Sequence, residues 1–364
     1  MLKILYIIST LEKTGPVNVL FDIIQNIDRN KFEPVILTLS KEKKNSIKSK
    51  FENLNIEIHS MNLQGVNGYL NSFKIKSVVQ KIKPNIIHTH CFRSTLFTAL
   101  YLNAYKTMTT IHCDYDIDYA MSYGKFCGFI MQKLMDYSLT RIKNKICCSE
   151  LLYNILSNKK HFACTYINNG INTEIFKPIE NKINLRQKLN LPSDKRIFIW
   201  VGCLTDRKNP LLFAKTINKL NDNKNYYIFC GAGNLSEKLK EIVANNQNVL
   251  LAGNVNNIQE YLQSSDYYVS TSYSEGLPLS VLEGMACGLP VILSDIPQHK
   301  CLLKDNVGLL YDTGNISLLG EKIKMILNKN YKELSRNSHQ VALQHFGAKR
   351  MTQNYIDMYK EIGC

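Results

Sequence analysis

The apolar positions of the chain fall into short continuous runs separated by longer amphipathic stretches. In the first half these runs occupy residues 2–8, 34–39, 85–90, 108–112 and 144–149. Residues 17–27 and 73–83, which lie between runs, repeat their apolar side chains at helical spacing. Uninterrupted runs of Ile, Val and Leu indicate strands that are buried on both faces, as in a parallel sheet. The pattern therefore predicts an α/β fold built on a doubly wound sheet.

The second half of the chain repeats this plan. Its apolar runs occupy residues 196–202, 225–231, 248–253, 266–272 and 290–295, and a polar helical stretch at 183–195 precedes them. We therefore predict two doubly wound, Rossmann-like domains, 1–178 and 179–345, that face each other across a cleft. In such sheets ligands bind beyond the carboxyl ends of the strands.

The composition of the chain excludes several classes of protein. No run of residues reaches the roughly 18 to 20 apolar positions that a membrane span requires. The first run, MLKILYIIST, lacks the small-residue cleavage site of a signal peptide and indicates a buried strand, so we predict a cytoplasmic protein. The 11 cysteines include no C-x-x-C pair and indicate neither a disulfide framework nor a zinc site.

The net charge of +15 is concentrated in the first half. Residues 1–178 carry 23 basic and 13 acidic side chains, whereas residues 179–364 carry 22 and 17. One dense source is KEKKNSIKSK at 41–50. Such an excess is typical of a protein with an anionic partner, which is a membrane surface, a nucleic acid or a phosphorylated substrate, but also of a surface that only promotes solubility.

The stretch YSEGLPLSVLEGMACG at 273–288 carries the clearest chemistry, because two glutamates are separated only by small and apolar residues. Glu275 follows a predicted strand, and Pro278 suits the first turn of a helix. Glu283 then lies in the second turn and faces the cleft with Glu275. Carboxylates bind pairs of sugar hydroxyls, and the free N–H groups of a helix amino terminus bind phosphate. The stretch therefore indicates a nucleotide sugar as ligand.

The pattern E-G-x-P-x-x-x-x-E-x-x-A-x-G-x-P-V-I in this stretch resembles the signature of retaining GT-B glycosyltransferases, family four. The resemblance extends over nearly the whole chain. Further segments that resemble the family are NIIHTHC, TTIHCD, ICCSE, INNGINTEIFKP (167–178), VGCLTDRKNP (201–210) and CGAGN (230–234). The end of the chain, 346–364, is similar to the family's closing helix, which implies that it crosses back to the first domain.

The resemblance implies roles for single residues. Arg207 and Lys208 neutralise the diphosphate of the donor, so neither a metal nor a cofactor is expected. Glu283 binds the ribose hydroxyls, Glu275 binds the transferred sugar, and His112 contacts the donor sugar or orients the acceptor. The residues expected to bind the nucleotide sugar are Gly15, Gly202, Arg207, Lys208, Gly253, Asn254, Val255, Glu275, Gly276, Leu277, Pro278, Leu279 and Glu283. His90 is a weaker candidate for the site, and Asn169 and Gly170 shape the hinge.

Two positions depart from the family pattern. Cys203 stands where the family has an arginine, and it cannot donate a guanidinium fork to a diphosphate. Arg207 is expected to supply that charge. The glycine-rich loop after the first strand is reduced to Gly15 followed by Pro16, which has no N–H group for a phosphate.

The resemblance implies a retaining transferase that moves a sugar from a nucleotide sugar, UDP-linked, to a saccharide acceptor carried on a polyprenyl diphosphate. The setting is the synthesis of a surface polysaccharide (O-antigen, capsule or exopolysaccharide). The basic first domain, with Lys41, Lys43, Lys44, Lys48 and Lys50 in one cluster, implies docking to the inner face of the cytoplasmic membrane. Lys74, Lys76, Lys81 and Lys83 form a second cluster on a predicted helix.

Other functions stay open at this stage. A GT-B-like phosphorylase or a sugar-nucleotide epimerase fits the same fold. The D-x-D triplets of Asp114, Asp116 and Asp118 are compatible with a metal-dependent GT-A transferase, although they follow a strand of the first domain. A nucleic-acid-binding protein fits the charge, but no recognisable motif of that class is present and the basic stretch 41–50 contains no aromatic residue.

Overall fold

The chain forms two α/β units, which are described by a computed structural model over residues 1–160, 162–303 and 305–363. Unit 1 comprises Met1–Gly170 together with Ala348–Cys364, and unit 2 comprises Ile171–Gly347. The sequence placed the divisions eight residues later, at 178/179, and two residues earlier, at 345/346. Within the described residues each unit contains one parallel sheet covered by helices.

Unit 1 is built on a parallel sheet with the strand order β3-β2-β1-β4-β5-β6-β7. Its strands are β1 Leu2–Ile8, β2 Phe32–Thr38, β3 Glu57–Ser60, β4 Ile86–His90, β5 Thr107–Ile111, β6 Asn144–Cys147 and β7 Thr165–Tyr166. Its helices are α1 Gly15–Asn26, α2 Lys48–Glu52, α3 Gly65–Leu70, α4 Ile75–Ile82, α5 Phe92–Tyr101, α6 Tyr115–Tyr123, α7 Lys125–Arg141, α8 Glu150–Lys160 and α17 Ala348–Gly363. Strands β4 and β5 are buried throughout, and β1 is buried from Ile4 to Ile8, as expected for central strands that are covered on both faces.

Unit 2 is built on a parallel sheet with the order β10-β9-β8-β11-β12-β13. Its strands are β8 Arg196–Val201, β9 Asn225–Cys230, β10 Val249–Gly253, β11 Tyr267–Ser270, β12 Val291–Ser294 and β13 Gly308–Tyr311. Its helices are α9 Lys182–Lys188, α10 Pro210–Leu220, α11 Ser236–Val243, α12 Ile258–Ser264, α13 Leu279–Ala286, α14 Pro297–Lys300, α15 Ile316–Leu327 and α16 Tyr331–His345. The core between sheet and helices is rich in aromatic rings, with Phe198 stacked on Tyr267 at 4.7 Å.

The prediction of a doubly wound fold is confirmed. Three strands that the apolar pattern did not indicate, β3, β7 and β13, all lie at sheet edges. An edge strand pairs on one side only and is partly open to solvent, so its sequence does not need a continuous apolar run. Accordingly, β7 is exposed at both of its residues.

The last helix, α17, belongs to unit 1. The Tyr359 hydroxyl lies 2.8 Å from His88 Nδ1, and the Tyr355 hydroxyl lies 3.0 Å from Thr110 Oγ1. The Gly170 amide donates to Met351 Sδ at 3.0 Å. These buried contacts attach the end of the chain to the β4 and β5 strands of the first sheet.

Candidate active site

The predicted donor-binding residues of unit 2 lie in loops at one edge of its sheet. Residues 202–209 follow β8, Gly253 is the last residue of β10 and is followed by Asn254 and Val255, and residues 271–278 follow β11. Because β10, β9, β8 and β11 are neighbours in that order and are parallel, the carboxyl ends of all four strands meet at the same edge. The fold thereby brings residues about 70 positions apart in sequence, such as Lys208 and Glu275, into contact.

Glu275 forms a buried ion-pair cluster with both predicted cations. Its Oε1 accepts hydrogen bonds from Lys208 Nζ at 2.5 Å and from Ser272 Oγ at 2.6 Å. Its Oε2 lies 3.3 Å from Arg207 Nη1. Burial alone raises the pKa of Glu275, but the charges of Lys208 and Arg207 outweigh it and hold the pKa at about 2. Glu275 is therefore a carboxylate at any physiological pH.

The loop that carries the cations is fixed to the loop that carries the carboxylate. The Tyr273 amide donates to the Arg207 carbonyl at 2.8 Å, and Arg207 Nη1 donates to the Ser274 carbonyl at 2.7 Å. Thr271 Oγ1 accepts from Trp200 Nε1 at 3.0 Å and lies 2.9 Å from the Lys208 carbonyl. The charged groups are thus positioned by backbone contacts as well as by their own attraction, which favours a preorganised site.

A buried chain of hydroxyl and imidazole groups lies behind Glu275, and no local sequence pattern predicted it. Ser272 lies 3.4 Å from Ser270, whose hydroxyl lies 3.4 Å from His299 Nε2. His299 Nδ1 lies 3.0 Å from Ser294 Oγ, which donates to the Ser272 carbonyl at 2.6 Å. Burial lowers the pKa of His299 to about 4, so this ring is neutral beside the carboxylate. These residues come from β11 and the loop after it, from β12 and from α14, and only the tertiary fold assembles them.

The glycines of the G-x-G segment are required by packing. The Gly231 amide donates to the Gly253 carbonyl at 2.7 Å, and the Gly202 amide donates to the Cys230 carbonyl at 3.0 Å. At φ +146°, a Cβ on Gly231 would lie 1.8 Å from the Gly202 carbonyl oxygen, and one on Gly233 would lie 2.3 Å from the Leu204 oxygen. Only glycine allows the loops after β8 and β9 to approach so closely.

The second glutamate, Glu283, lies half-buried on α13 as the sequence predicted, in the second turn of the helix. Gly276, Leu277 and Pro278 are buried in the turn before it. Cys203 is exposed beside the site. Leu279 is the first residue of α13, and Asn254 and Val255 follow β10.

The other candidates, Gly15, His90 and His112, belong to unit 1. Gly15 is the first residue of α1, after β1. His90 ends β4, and His112 follows β5, the adjacent strand. His90 Nδ1 lies 3.0 Å from His112 Nε2, so one ring donates to the other. His90 Nε2 and His112 Nδ1 have no partner within the described residues. Burial lowers the pKa of His112 to about 3 and holds the pKa of His90 well below its ordinary value, so both rings are neutral.

The D-x-D triplets serve a local structural role. Asp114 caps α6 by accepting from the Asp116 amide at 3.3 Å, and its Oδ2 lies 3.0 Å from Lys159 Nζ. Within residues 1–160, 162–303 and 305–363, no group of three His, Cys, Asp or Glu side chains is arranged to hold a metal ion. In the same part of the chain, none of the helices combines the length and apolar character needed to cross a bilayer.

The fold is that of the GT-B glycosyltransferases. It is similar to the structure of Anabaena Alr3699/HepE in complex with UDP and glucose, with a TM-score of 0.85 over 99% of this chain and 100% of that chain, at 17% identity. It is also similar to a glycosyltransferase from Rickettsia africae ESF-5, with a TM-score of 0.78 over 99% and 98% of the two chains, at 20% identity.

Sequence comparison identifies the family within this class. Residues 14–175 match the model of Glycosyltransferase Family 4, and residues 181–342 match that of Glycosyl transferases group 1. The chain belongs to this family of glycosyltransferases, so it is an enzyme that transfers glycosyl groups. The predicted membership of this glycosyltransferase family is thereby confirmed.

Two curated relatives come from Escherichia coli. One is "UDP-Gal:alpha-D-GlcNAc-diphosphoundecaprenol alpha-1,3-galactosyltransferase", 26% identical over 78% of this chain and 76% of the relative. The other is the O-antigen biosynthesis glycosyltransferase WclY, 27% identical over 99% of both chains. Relatives of this chain thus act in surface polysaccharide synthesis, and at least one is named for a lipid-linked acceptor.

Proposed function

We propose that this glycosyltransferase transfers a sugar from a UDP-linked donor, with retention of anomeric configuration, to a saccharide carried on a polyprenyl diphosphate. The product is an intermediate of a surface polysaccharide. The names of the E. coli relatives support the UDP donor, the diphosphate-linked acceptor and the O-antigen setting. The observation that carries the proposal in this chain is the buried contact of Glu275 with Lys208 and Arg207 at the carboxyl edge of the unit 2 sheet.

The two cations are suited to the diphosphate of the donor. Their side chains are partly accessible, 25% for Arg207 and 15% for Lys208, whereas the Glu275 side chain is 6% accessible. Glu275 thus positions the cations from the buried side. When the bond between the sugar and the diphosphate breaks, negative charge accumulates on the leaving phosphate, and preorganised cations stabilise it. This arrangement supplies the charge that a metal ion supplies in other transferases, so we propose a site that uses neither metal nor cofactor.

The remaining acceptor capacity of Glu275 is available to the transferred sugar. A carboxylate has about four lone-pair positions, and Lys208, Ser272 and Arg207 occupy three of them. We assign the sugar hydroxyls to Glu275 and the ribose hydroxyls to Glu283. We also assign the nucleotide to Gly202, Gly253, Asn254, Val255, Gly276, Leu277, Pro278 and Leu279, and we assign Gly15 to donor binding. His112 in unit 1 is proposed to contact the sugar or the acceptor.

The proposed reaction is attack on the front face of the donor sugar. The acceptor hydroxyl forms the new glycosidic bond as the bond to the diphosphate breaks, through an oxocarbenium-like state. The departing phosphate oxygen takes the proton of the hydroxyl, so UDP leaves with that proton. The protein contributes positioning and stabilisation of the diphosphate.

The division of labour between the glutamates provides the test. Glu283→Gln is expected to weaken binding of free UDP by about tenfold, because one charge-assisted contact to the ribose becomes neutral. Glu275→Gln is expected to retain more UDP affinity but to lose transfer. Calorimetry with UDP and a transfer assay with UDP-hexoses separate the two effects. Equal loss of UDP affinity in both variants would contradict the assignment.

A GT-B-like phosphorylase or a sugar-nucleotide epimerase is the second candidate function, since the fold accommodates all three. Incubation of the enzyme with UDP-sugars and inorganic phosphate distinguishes them. Release of a sugar phosphate, or an epimerised UDP-sugar without an acceptor, would replace the transferase assignment.

We further propose a peripheral location at the inner face of the cytoplasmic membrane, through the basic surface of unit 1. Lys41, Lys43 and Lys44 are exposed, as are Lys74 and Lys76. Acidic neighbours offset part of this charge, since Lys43 pairs with Glu12 at 3.1 Å. Each remaining lysine contributes about 1 kcal/mol near an anionic surface. Sedimentation with anionic and neutral vesicles tests the proposal, and equal, negligible binding to both would leave the charge as a solubility feature.

A further inference from the structure

The exposed apolar side chains of this protein are concentrated on one helical hairpin. Of 19 large hydrophobic residues that are exposed within the described residues, eight lie between residues 115 and 141. They belong to α6 and α7, which are joined at Gly124. Phe126 is 77% exposed and Tyr123 is 59% exposed. A cluster of apolar side chains on a solvent-exposed surface marks an interaction site.

The exposed side chains form a continuous stripe along α7. With 100° and 1.5 Å between successive residues, the stripe covers one face of the helix over about 17 Å. Its apolar members are Phe126, Phe129, Ile130, Leu134 and Tyr137. The opposite face packs into unit 1 through Gly128, Met135, Ser138 and Leu139. This helix therefore presents apolar side chains on both faces, and only one of them is covered by the fold.

The packing of the hairpin holds the stripe outward. A Cβ on Gly128 would lie 2.7 Å from the Ala120 Cα, so glycine is needed where α7 crosses α6. The Tyr115 hydroxyl donates to Asp136 Oδ1 at 2.7 Å. Asp136 is the acidic residue of α7, and this bond holds it off the stripe. The face is thus fixed by tight contacts and has no acidic residue on it.

Basic side chains lie among the aromatic ones. Lys133 Nζ lies 5.3 Å from the ring centre of Phe129, and the Arg141 guanidinium lies 5.0 Å from that of Tyr137. Their long aliphatic stems allow the charged ends to reach phosphate groups while the rings enter an apolar phase. A two-fold dimer through α7 would set this face against itself and bring basic groups together without acidic partners.

We propose that the α7 stripe is a membrane-insertion surface, which places Phe126, Phe129, Ile130, Leu134 and Tyr137 in the interface of an anionic lipid bilayer. The inference deepens the proposed function and rests on it for the source of the bilayer, the membrane that carries the lipid-linked acceptor. The hairpin follows β5 directly, at the edge of the sheet where His112 lies. Insertion there holds that edge of unit 1 close to the head groups, where a saccharide on a polyprenyl diphosphate is presented.

The test compares vesicle binding of the full-length protein with that of a variant of the stripe, Phe126→Ser with Phe129→Ser. The vesicles contain equal amounts of phosphatidylglycerol and phosphatidylcholine. Ile183→Ser with Met325→Ser is the matched control, because those side chains are 55% and 46% exposed on α9 and α15. We expect the stripe variant to lose binding by tenfold or more and to lose the part that persists at high salt, on the order expected for two inserted rings. The control is expected to bind like the unaltered protein.

A spectroscopic variant separates insertion from simple attraction. Trp200 is the one tryptophan in the sequence and is buried in unit 2, so Phe126→Trp adds a reporter on a constant background. A blue shift on addition of vesicles, with quenching by brominated lipid, is expected. Unshifted emission, or equal binding by the stripe variant and the unaltered protein, would overturn the inference. A stripe that mediates a dimer in gel filtration, with no change in vesicle binding on substitution, would assign the face to a second copy.

The two proposals fail separately. Binding of UDP and hydrolysis of UDP-hexoses do not require a bilayer, and the stripe variant is expected to retain both. Intact UDP binding by a protein whose vesicle binding is absent, or is the same in the stripe variant, would contradict only the membrane surface. Vesicle binding by a protein that binds no UDP would sink only the proposed donor.

Discussion

The Glu275 cluster in unit 2 and the histidine pair in unit 1 occupy equivalent positions but differ in chemistry. Both lie at the carboxyl ends of adjacent parallel strands. Glu275 is ionised and its carboxylate is bonded to Lys208, Arg207 and Ser272. His90 and His112 are neutral and satisfy only one nitrogen each within the described residues. The same fold therefore supports one site built for charge and one built for neutral hydrogen bonding.

The difference matches what the proposed reaction requires of each site. A leaving diphosphate gains negative charge and needs cations that are already in place. The histidine pair offers one donor and one acceptor, whichever ring carries the shared proton, since each neutral imidazole has one of each. A hydroxyl group both donates and accepts, so this pair is matched to a sugar or an acceptor and not to a phosphate.

The largest effect is expected from a substitution in the Glu275 cluster. Lys208→Ala removes a cation in contact with a buried carboxylate, and we expect transfer to fall by a factor of about 10² to 10³, as for the loss of one preorganised charge. Stability should also fall by about 3 kcal/mol, because Glu275 loses a buried partner. Steady-state kinetics and denaturant unfolding measure the two effects. Lys215→Ala, an exposed lysine on α10, is the control. Unchanged kinetics in Lys208→Ala would remove these cations from the mechanism.

The second effect separates the two sites by pH. The pKa values of His88 and His112 are about 3 in the fold, against 6.5 for the unfolded chain, chiefly because of burial. As the pH falls, protons therefore bind these histidines in the unfolded chain before they bind them in the folded chain. The stability that the neutral histidines contribute is complete above pH 6.5 and is lost as the pH falls toward 3. Each such histidine removes about 2 kcal/mol between pH 7 and pH 5. The pKa of Glu275 is about 2, against an ordinary value of 4.5. Its contribution to the free energy of unfolding is therefore lost only as the pH falls from 4.5 toward 2.

His88→Gln tests this difference through the slope of unfolding free energy against pH. The variant is expected to have a shallower slope between pH 7 and pH 5. Tyr359→Phe removes the hydroxyl partner of His88 and keeps the titrating ring, so it should lower stability without flattening the slope. Parallel slopes in all three proteins would mean that His88 is not the group that couples pH to unfolding.

The smallest effect concerns the neutral pair itself. His112→Asn keeps a donor and an acceptor but shifts their positions, and we expect transfer to fall by about tenfold with UDP affinity unchanged. Calorimetry with UDP and a transfer assay provide the two readouts, and His345→Asn, on α16, is the control. If transfer persists and only stability falls, the pair has a structural role in unit 1.

The elements and the site differ in how much the sequence could predict. Strands β1 and β8 are buried on both faces over most of their length, so their apolar runs marked them directly. The edge strands β3, β7 and β13 lack that constraint and were missed. Glu275, Arg207 and Lys208 were identified by motif resemblance, but their contact was not, because Lys208 and Glu275 lie 67 residues apart. Ser270, Ser272, Ser294 and His299 had no signal at all, since serines and a histidine are ordinary residues until packing buries them together.

The sequence by itself determined the α/β class, the repetition of the plan in two halves and the family, because buried strands and glycine-dependent turns restrict residue type position by position. Only the tertiary structure decided which charge faces which. Glu275 has no cation near it in sequence, and the parallel order of β8 and β11 brings Arg207 and Lys208 to it. The same holds for the α7 stripe. Its apolar residues predict a buried helix face, but the fold covers only the opposite face. Whether a side chain is buried depends on the residues that pack against it, and the fold determines which residues those are.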